Sequence, residues 1–323
     1  MVELQVRAEE ALDIYYKMAK IRAFEEKAAE LYTKGSIVGF CHLYTGQEAV
    51  IVGISQNFTK ADSIITSYRD HGHLLAIGVE PRYVMAELCG KITGCSKGKG
   101  GSMHLYNRSR NFFGGNGIVG AQVSIGTGLA LAHKYKSTGG IAFIFFGDGA
   151  ANQGQVYESF NMAAIWKLPA LYILENNRYA LATPTERSTV RNSLKKRGDP
   201  FGIRTICVDG MNLLEVIQKS RDAANQVREK LEPLILHVDT YRYKGHSMSD
   251  PEIYRSRSEV DSIRKTRDPI ANFAAVLQER YGLDAEVIEK IDKDVMEKIE
   301  IAARFALDSP APSEASLNMD VLL

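Results

Sequence analysis

The sequence predicts an α/β protein in which helices flank a parallel sheet and extend the chain at its N- and C-terminal ends. Apolar runs at residues 141–146, 170–174, 205–208 and 234–241 have the length and composition of buried strands. Segments with a helical pattern separate these runs. Buried strands that alternate with helices are typical of a parallel α/β sheet.

The first third of the chain is predicted to be mainly helical. A helix ending near Gly35 is indicated by apolar residues at helical spacing, namely Ile14, Met18, Ile21, Ala28 and Leu31. A helix over residues 48–58, a short strand over 63–67 and a helix over 81–89 follow. Residues 90–120 contain nine glycines and are predicted to be a long loop.

Helices over residues 121–136, 150–166 and 213–230 are predicted between the strands, and two more over 268–306. From residue 309 the chain reads as a polar ending. We expect a single domain over residues 1–323, with an α/β core at about 60–245 and a helical C-terminal part at about 255–323.

The composition and charge of the chain limit the classes of function that it can have. The formal net charge of +1 gives no basic surface for nucleic acid, and no apolar run approaches the ~20 residues that cross a membrane. Residues 1–10 lack the features of a signal or transit peptide, which favours the cytoplasm, or the mitochondrial matrix if a transit peptide has been removed. The four cysteines lack C-x-x-C spacing, so free thiols are expected.

Two polar motifs follow neighbouring predicted strands. Asp148 lies between two glycines after one strand, and Asn176 and Asn177 follow the next. Because ligands bind at the carboxyl ends of parallel strands, Asp148 and Asn177 are expected to share a crevice. Their oxygens and the carbonyl of Tyr179 suit Mg²⁺, and the helix start after Gly149 suits a phosphate. Alternatively, the first motif is a simple turn and the second ends a strand.

These motifs resemble those of the α subunits of thiamin-diphosphate-dependent 2-oxoacid dehydrogenases. The resemblance extends over residues 39–49, 68–72, 97–104, 114–122, 147–169, 175–179 and 241–251. It implies the thiamin-diphosphate-binding fold, with thiamin diphosphate and Mg²⁺ as cofactors. The string Gly115-x-Gly117-x-x-Gly120 also matches a dinucleotide fingerprint, but no strand precedes it and no acidic residue follows at the required distance.

The resemblance also implies roles for individual residues. Asp148, Asn177 and Tyr179 would ligate Mg²⁺, and His246 and His42 would be catalytic. The implied cofactor contacts are Tyr68, Arg69, Gly117, Val119, Asp148, Gly149, Ala150, Asn177, Arg242 and His246. Without the resemblance, His42 would be a structural histidine and both arginines would be surface cations. Lys97 and Lys99 are predicted to be solvated loop charges.

The implied activity is oxidative decarboxylation of pyruvate, with acetyl transfer to the lipoyl group of a dihydrolipoyl acyltransferase. Residues 247–251 favour pyruvate over the alternatives, which are acetoin and branched-chain 2-oxoacids. A non-catalytic module that binds a nucleotide or phosphate is an alternative from another class. The chain offers one cofactor half-site and leaves no room for a second sheet domain. The resemblance implies that a β subunit supplies the rest of the site in an α2β2 assembly.

Overall fold

The computed structural model describes residues 7–190 and 193–320 of the chain. Its helices are α1 Ala8–Thr33, α2 Glu48–Ser55, α3 His71–Ala76, α4 Pro81–Leu88, α5 Ala121–Lys136, α6 Gly154–Ile165, α7 Thr185–Ser188, α8 Leu213–Lys230, α9 Arg257–Arg267, α10 Pro269–Tyr281 and α11 Ala285–Asp308. Its strands are β1 Ser63–Ile65, β2 Ala142–Gly147, β3 Ala170–Asn176, β4 Tyr179–Ala180, β5 Thr183–Pro184, β6 Thr205–Asp209 and β7 Leu234–Asp239.

Five strands form a parallel sheet in the order β1-β2-β3-β7-β6, and β4 with β5 forms a separate antiparallel hairpin. Gly147 of β2 pairs with Glu175 of β3, and Asn176 of β3 pairs with Asp239 of β7. The carboxyl ends of these three strands therefore lie side by side. The predicted fold class is confirmed, with a parallel sheet, flanking helices and helical extensions.

The central strands are buried on both faces, which explains their continuous apolar sequences. In β2, Phe143 and Phe145 pack into one core and Ile144 and Phe146 into the other. Strand β6 differs from the prediction of a buried strand, since its Cys207 is exposed. The physical reason is its position at the edge of the sheet, where it pairs only with β7.

Helices cover both faces of the sheet. Helices α5 and α6 pack on one face, while α2 and α8 pack on the other. Helices α1, α4 and α11 pack together beyond that second layer, so the N- and C-terminal extensions are neighbours. The two helices predicted over 268–306 are confirmed as α10 and α11.

Some boundaries differ from prediction. The helix predicted from residue 150 begins with a 3-10 turn at Ala150–Asn152, and α6 starts at Gly154 because Gln153 has an extended backbone. Helices α3 and α9 were not predicted. No helix within residues 7–190 and 193–320 is long and apolar enough to cross a bilayer. The four cysteines are unpaired, as predicted.

The glycine-rich loop over residues 90–120 is held by its neighbours. The carboxylate of Glu87 accepts hydrogen bonds from the N–H groups of Ser96 and Gly100, each at 2.7 Å. Lys97 donates to Asp320 at 2.8 Å, and Lys99 donates to the same carboxylate at 3.3 Å. The two lysines therefore pair with the C-terminal segment through ion pairs that are open to solvent, which agrees with the prediction of solvated loop charges.

Candidate active site

A cavity of about 310 Å³ opens at the carboxyl ends of β2 and β3. It brings together ten of the predicted site residues: Tyr68, Arg69, Val119, Asp148, Gly149, Ala150, Asn177, Tyr179, Arg242 and His246. Gly117 and His42 do not line it. Gly117 lies beside the ring of His104, and Gly120 takes a place in the cavity wall instead.

Asp148 presents a buried carboxylate at the end of β2. It is 3% exposed, and burial raises its pKa to about 6. Its Oδ2 accepts a hydrogen bond from the Thr185 hydroxyl at 3.3 Å. The glycine after it is required by packing, because a Cβ at Gly149 would lie 2.7 Å from the Cβ of Ala180. A cation in the cavity would stabilise the carboxylate that burial disfavours.

The two asparagines at the end of β3 differ in the hydrogen bonds of their side chains. The Asn176 side chain donates to Asp239 at 3.0 Å, and its own oxygen accepts from the N–H of Arg178 at 3.2 Å. Asn177 donates to Gln47 at 3.2 Å, while its buried Oδ1 has no hydrogen-bond partner among the described residues. Because a buried polar oxygen is normally paired, this atom is a natural ligand for a cation.

Any cation site here would use few anionic ligands. No group of three or more His, Cys, Asp or Glu side chains suited to a metal occurs in the described part of the chain. Asp148, the Asn177 oxygen and the Tyr179 carbonyl would be the protein ligands. The Tyr179 carbonyl already accepts from Arg242 at 3.2 Å and retains a second lone pair. Such a set fits Mg²⁺ when phosphate and water complete the octahedron.

Two buried arginines provide the positive charge of the site. Arg242 is 1% exposed and donates to the carbonyls of Lys244 and Tyr179 and to the Tyr254 hydroxyl, all neutral acceptors. Arg69 is 6% exposed and donates to main-chain carbonyls, one of them that of His246 at 3.0 Å. Neither forms a salt bridge with a carboxylate among the described residues. Since buried charges are normally paired, an anionic ligand is expected between them.

Tyr68, His42 and His246 form an aromatic cluster at one side of the cavity. The His42 ring centroid lies 4.3 Å from that of Tyr68 and 4.9 Å from that of His246. The Nδ1 of His42 lies 2.8 Å from the His246 carbonyl, to which it donates. Burial and the charge of Arg69 lower the pKa of both histidines to about 3, so both rings are neutral. The Nδ1 of His246 is buried without a partner.

The sequence was compared with protein-family models, and residues 16–314 match the model of the dehydrogenase E1 component. The chain belongs to the dehydrogenase E1 component family. Curated relatives of this family named "pyruvate dehydrogenase E1 component subunit alpha" align over nearly the whole chain. The protein of Rickettsia felis is 52% identical over 314 residues, covering 97% of this chain and 96% of the relative.

Members of the family from other organisms align over similar lengths. The relative from Rhizobium meliloti is 50% identical over 315 residues, covering 98% of this chain and 90% of its own length. The mitochondrial relative from Dictyostelium discoideum is 46% identical over 316 residues, covering 98% of this chain and 83% of its own length. Membership of the family accounts for the predicted fold. The roles of individual site residues depend on the geometry of the cavity.

Sequence reasoning missed several residues in the cavity of this dehydrogenase E1 component chain. Glu175 lines the cavity, accepts a hydrogen bond from the Tyr44 hydroxyl and has a pKa raised by burial to about 7. Its position at the carboxyl end of β3 is a signal that could have found it. Gln47 and Thr185 carry no such signal, because a loop and a hairpin bring them to Asn177 and Asp148.

Proposed function

We propose that this chain is the α subunit of a pyruvate dehydrogenase E1 component, which binds thiamin diphosphate and Mg²⁺ in the cavity and decarboxylates pyruvate oxidatively. The observation that carries the proposal is the pair of buried guanidinium groups of Arg69 and Arg242, which have neutral acceptors only. They lie in one cavity with Asp148 and Asn177. A diphosphate with its cation would neutralise both sets of charges.

Each residue has a proposed task in holding the cofactor. Asp148, the Oδ1 of Asn177 and the carbonyl of Tyr179 would ligate Mg²⁺. Arg69 and Arg242 would bind the diphosphate as forked donors, and Arg242 would also keep the hairpin β4–β5 in place through its bond to Tyr179. Tyr68 and main-chain groups at Gly117, Val119, Gly149 and Ala150 are the remaining proposed contacts.

His246 and His42 are the proposed catalytic residues. Their neutral rings can accept and return protons beside the cavity, whereas imidazolium rings could only donate. Within the described part of the chain, the Nδ1 of His246 has no hydrogen-bond partner and is free to exchange a proton, and the main-chain N–H of His246 donates to Asp250 at 2.6 Å. When bound, the cofactor supplies the electron sink for decarboxylation. The protein orients it and excludes water.

The proposed substrate is pyruvate, supported by the names of relatives that share about half of this sequence. Acetoin and branched-chain 2-oxoacids remain the alternatives. The proposed macromolecular partners are a β subunit in an α2β2 assembly and a dihydrolipoyl acyltransferase. An apolar surface on α5 and α6 supports the first of these, since it exposes Ile125, Leu131, Met162, Ile165 and Trp166. Val119 is exposed as well and lines the cavity.

The test is to co-express the chain with a β partner and measure decarboxylation of pyruvate, acetoin and 2-oxoisovalerate with an artificial electron acceptor. Thermal shifts with thiamin diphosphate plus Mg²⁺ are compared with those from ATP and NAD. We expect a shift with the first ligand pair only and a preference for pyruvate. Stabilisation by ATP or NAD alone would favour a nucleotide-binding module.

Arg242→Gln tests the observation directly. It removes one buried guanidinium, and we expect the affinity for thiamin diphosphate to fall by about tenfold or more, as for loss of a charge-assisted contact. Arg204→Gln is the matched control, because Arg204 is exposed and bonds only Gln226. Equal affinities for both variants would contradict the assignment of the diphosphate site.

A further inference from the structure

Three buried polar side chains outside the cavity form a continuous hydrogen-bonded chain. The Oε2 of Glu25 lies 2.8 Å from the Nδ1 of His71, and the Nε2 of His71 lies 2.8 Å from the Oγ of Ser102. Glu25 and His71 are fully buried and Ser102 is 4% exposed. The three come from α1, from α3 and from the glycine-rich loop, and the proposed catalysis uses none of them.

The acceptors around His71 fix its protonation. Its Nδ1 faces the carboxylate of Glu25, and its Nε2 faces the main-chain carbonyl of Ser102 at 3.1 Å as well as the hydroxyl. A carboxylate and a carbonyl only accept, so the arrangement that satisfies both contacts has a hydrogen on each ring nitrogen. Against the effect of burial, the nearby Glu25 carboxylate raises the pKa of His71, which also favours an imidazolium paired with Glu25. The other titratable groups near it are Asp70, His42 and His73.

Serine hydrolases also arrange a carboxylate, an imidazole and a hydroxyl in this order, but here the imidazole donates a hydrogen bond to the hydroxyl. In a hydrolase a neutral imidazole accepts the serine proton. His71 has no free lone pair, and Ser102 is buried. The Ser102 Oγ instead accepts from the main-chain N–H of His42 at 3.3 Å. These hydrogen bonds thus hold the main chain at His42 in place and do not activate Ser102 to attack a substrate.

The network forms one hydrogen bond at each end of the short segment over residues 42–44. Ser102 binds the N–H of His42, and the second oxygen of Glu25 accepts from the N–H of Tyr44 at 2.9 Å. Between these two anchors, the His42 ring reaches the His246 carbonyl, and the Tyr44 hydroxyl reaches Glu175 in the cavity wall. Both active-site contacts depend on where this segment lies.

We propose that Glu25, His71 and Ser102 form a positioning network that fixes the main chain of residues 42–44 and thereby orients His42 against His246. The proposal rests on the proposed function, because it assigns His42 to catalysis. The three residues form no hydrogen bond with the proposed metal ligands or Arg242, and their one link to the diphosphate site is indirect, through the Arg69 side chain, which donates to the carbonyl of Leu43. Losing the network should therefore slow turnover much more than it weakens cofactor binding.

The first experiment tests the charge on His71 without reference to activity. The full chain is labelled with ¹⁵N in its histidine rings, and ring nitrogen shifts are recorded from pH 6 to 8, with His71→Gln used for assignment. We expect both nitrogens of His71 to remain protonated throughout, while His73, whose ring nitrogens have no partner, stays neutral. A neutral His71 at pH 7 would overturn the proposal.

The second experiment is a double-mutant cycle of Ser102→Ala and His42→Ala in the enzyme assembled with its β partner. We expect Ser102→Ala to lower kcat by about tenfold, with the Kd for thiamin diphosphate within about twofold, and to have no further effect when His42 is already alanine. Ser220→Ala, at a fully buried serine bonded to Asn57, is the control.

Glu25→Gln provides a second route if Ser102→Ala folds poorly, because it keeps the side-chain size and the acceptor for Tyr44. It should show the same lack of additivity with His42→Ala. Multiplicative effects in both cycles, or a parallel loss of cofactor affinity, would show a merely structural role. If the wild-type assembly does not decarboxylate any 2-oxoacid, the proposed function fails, whereas the nitrogen shifts still decide the charge of the network.

Discussion

Thr185→Val removes a hydroxyl that donates to the cavity residue Asp148 and keeps the shape of the side chain. The Thr185 Oγ1 lies 3.3 Å from the Oδ2 of Asp148, 3.3 Å from the Oδ1 of Asn176 and 3.1 Å from the carbonyl of Arg178. A hydroxyl has one hydrogen, and the Asp148 carboxylate is the most basic of these acceptors. The hydroxyl therefore orients the proposed metal ligand.

The separation of 3.3 Å sets the size of the effect. It is at the long end for a hydroxyl donor, so the net contribution is about 1 kcal/mol, in the middle of the usual range and below that of a short charged hydrogen bond. If that contribution holds the Asp148 carboxylate in its ligating orientation, its loss weakens Mg²⁺ binding by about fivefold. Thiamin diphosphate binding at saturating Mg²⁺ should change much less.

The assay is a Mg²⁺ titration of thiamin diphosphate binding to the assembled enzyme, followed by calorimetry. Thr185→Ser is the matched variant, since it restores the hydroxyl without the methyl group and should return the Mg²⁺ affinity to within about twofold of the wild type. Thr183→Val, at an exposed position of the hairpin that directly precedes Thr185, controls for general effects on this segment. An unchanged midpoint in Thr185→Val, or equal defects in the valine and serine variants, would refute the reasoning.

Three further predictions concern the cofactor, the loop and the pH response. Asp148→Ala should abolish Mg²⁺-dependent retention of thiamin diphosphate in equilibrium dialysis, because it removes the only proposed carboxylate ligand; wild-type affinity would disprove the metal site. Ser247→Glu should inactivate decarboxylation by placing a negative charge beside His246 and near the diphosphate, whereas Ser249→Glu, at an exposed position, should be milder. Burial lowers the pKa of His73 to about 3, so the unfolded chain binds a proton that the folded chain excludes as the pH falls below about 6.5. The resulting loss of stability is about 2 kcal/mol between pH 7 and pH 5. His73→Phe should remove that loss in denaturant titrations, and an identical pH dependence in both proteins would contradict the assignment.

The central strands could be predicted because burial on both faces leaves a continuous apolar sequence, as in β2 and β3. The edge strand β6 was placed correctly, but its exposure depends on which strands it pairs with, and the local sequence does not specify that. Helix α9 buries none of its residues fully, and its apolar side consists of Val260 and Ile263 alone, which is too little to predict a helix from the sequence. Helix α3 is six residues long and contains two histidines and a glycine, a composition that indicates a loop.

The site was predictable where strand ends define it. Asp148 and Asn177 follow adjacent parallel strands, and the sheet brings them to one cavity. Other contacts join residues that are distant in sequence, as for Thr185, Gln47 and Glu25. No local sequence pattern predicts such contacts. Arg242 was identified by resemblance alone, and only the structure shows that its buried guanidinium has no carboxylate partner within residues 7–190 and 193–320.

The strand order of the sheet also constrains how the chain can fold during synthesis. Strand β7 lies between β3 and β6, yet it is the last strand to leave the ribosome. Until Leu234–Asp239 is available, β3 has an open edge and β6 has no neighbour, and open edges invite pairing with other chains. Asn177 and Glu175 lie at the end of that open strand. The nascent protein therefore cannot complete its candidate active site early, and chains cut short before residue 234 should aggregate instead of forming a smaller working unit.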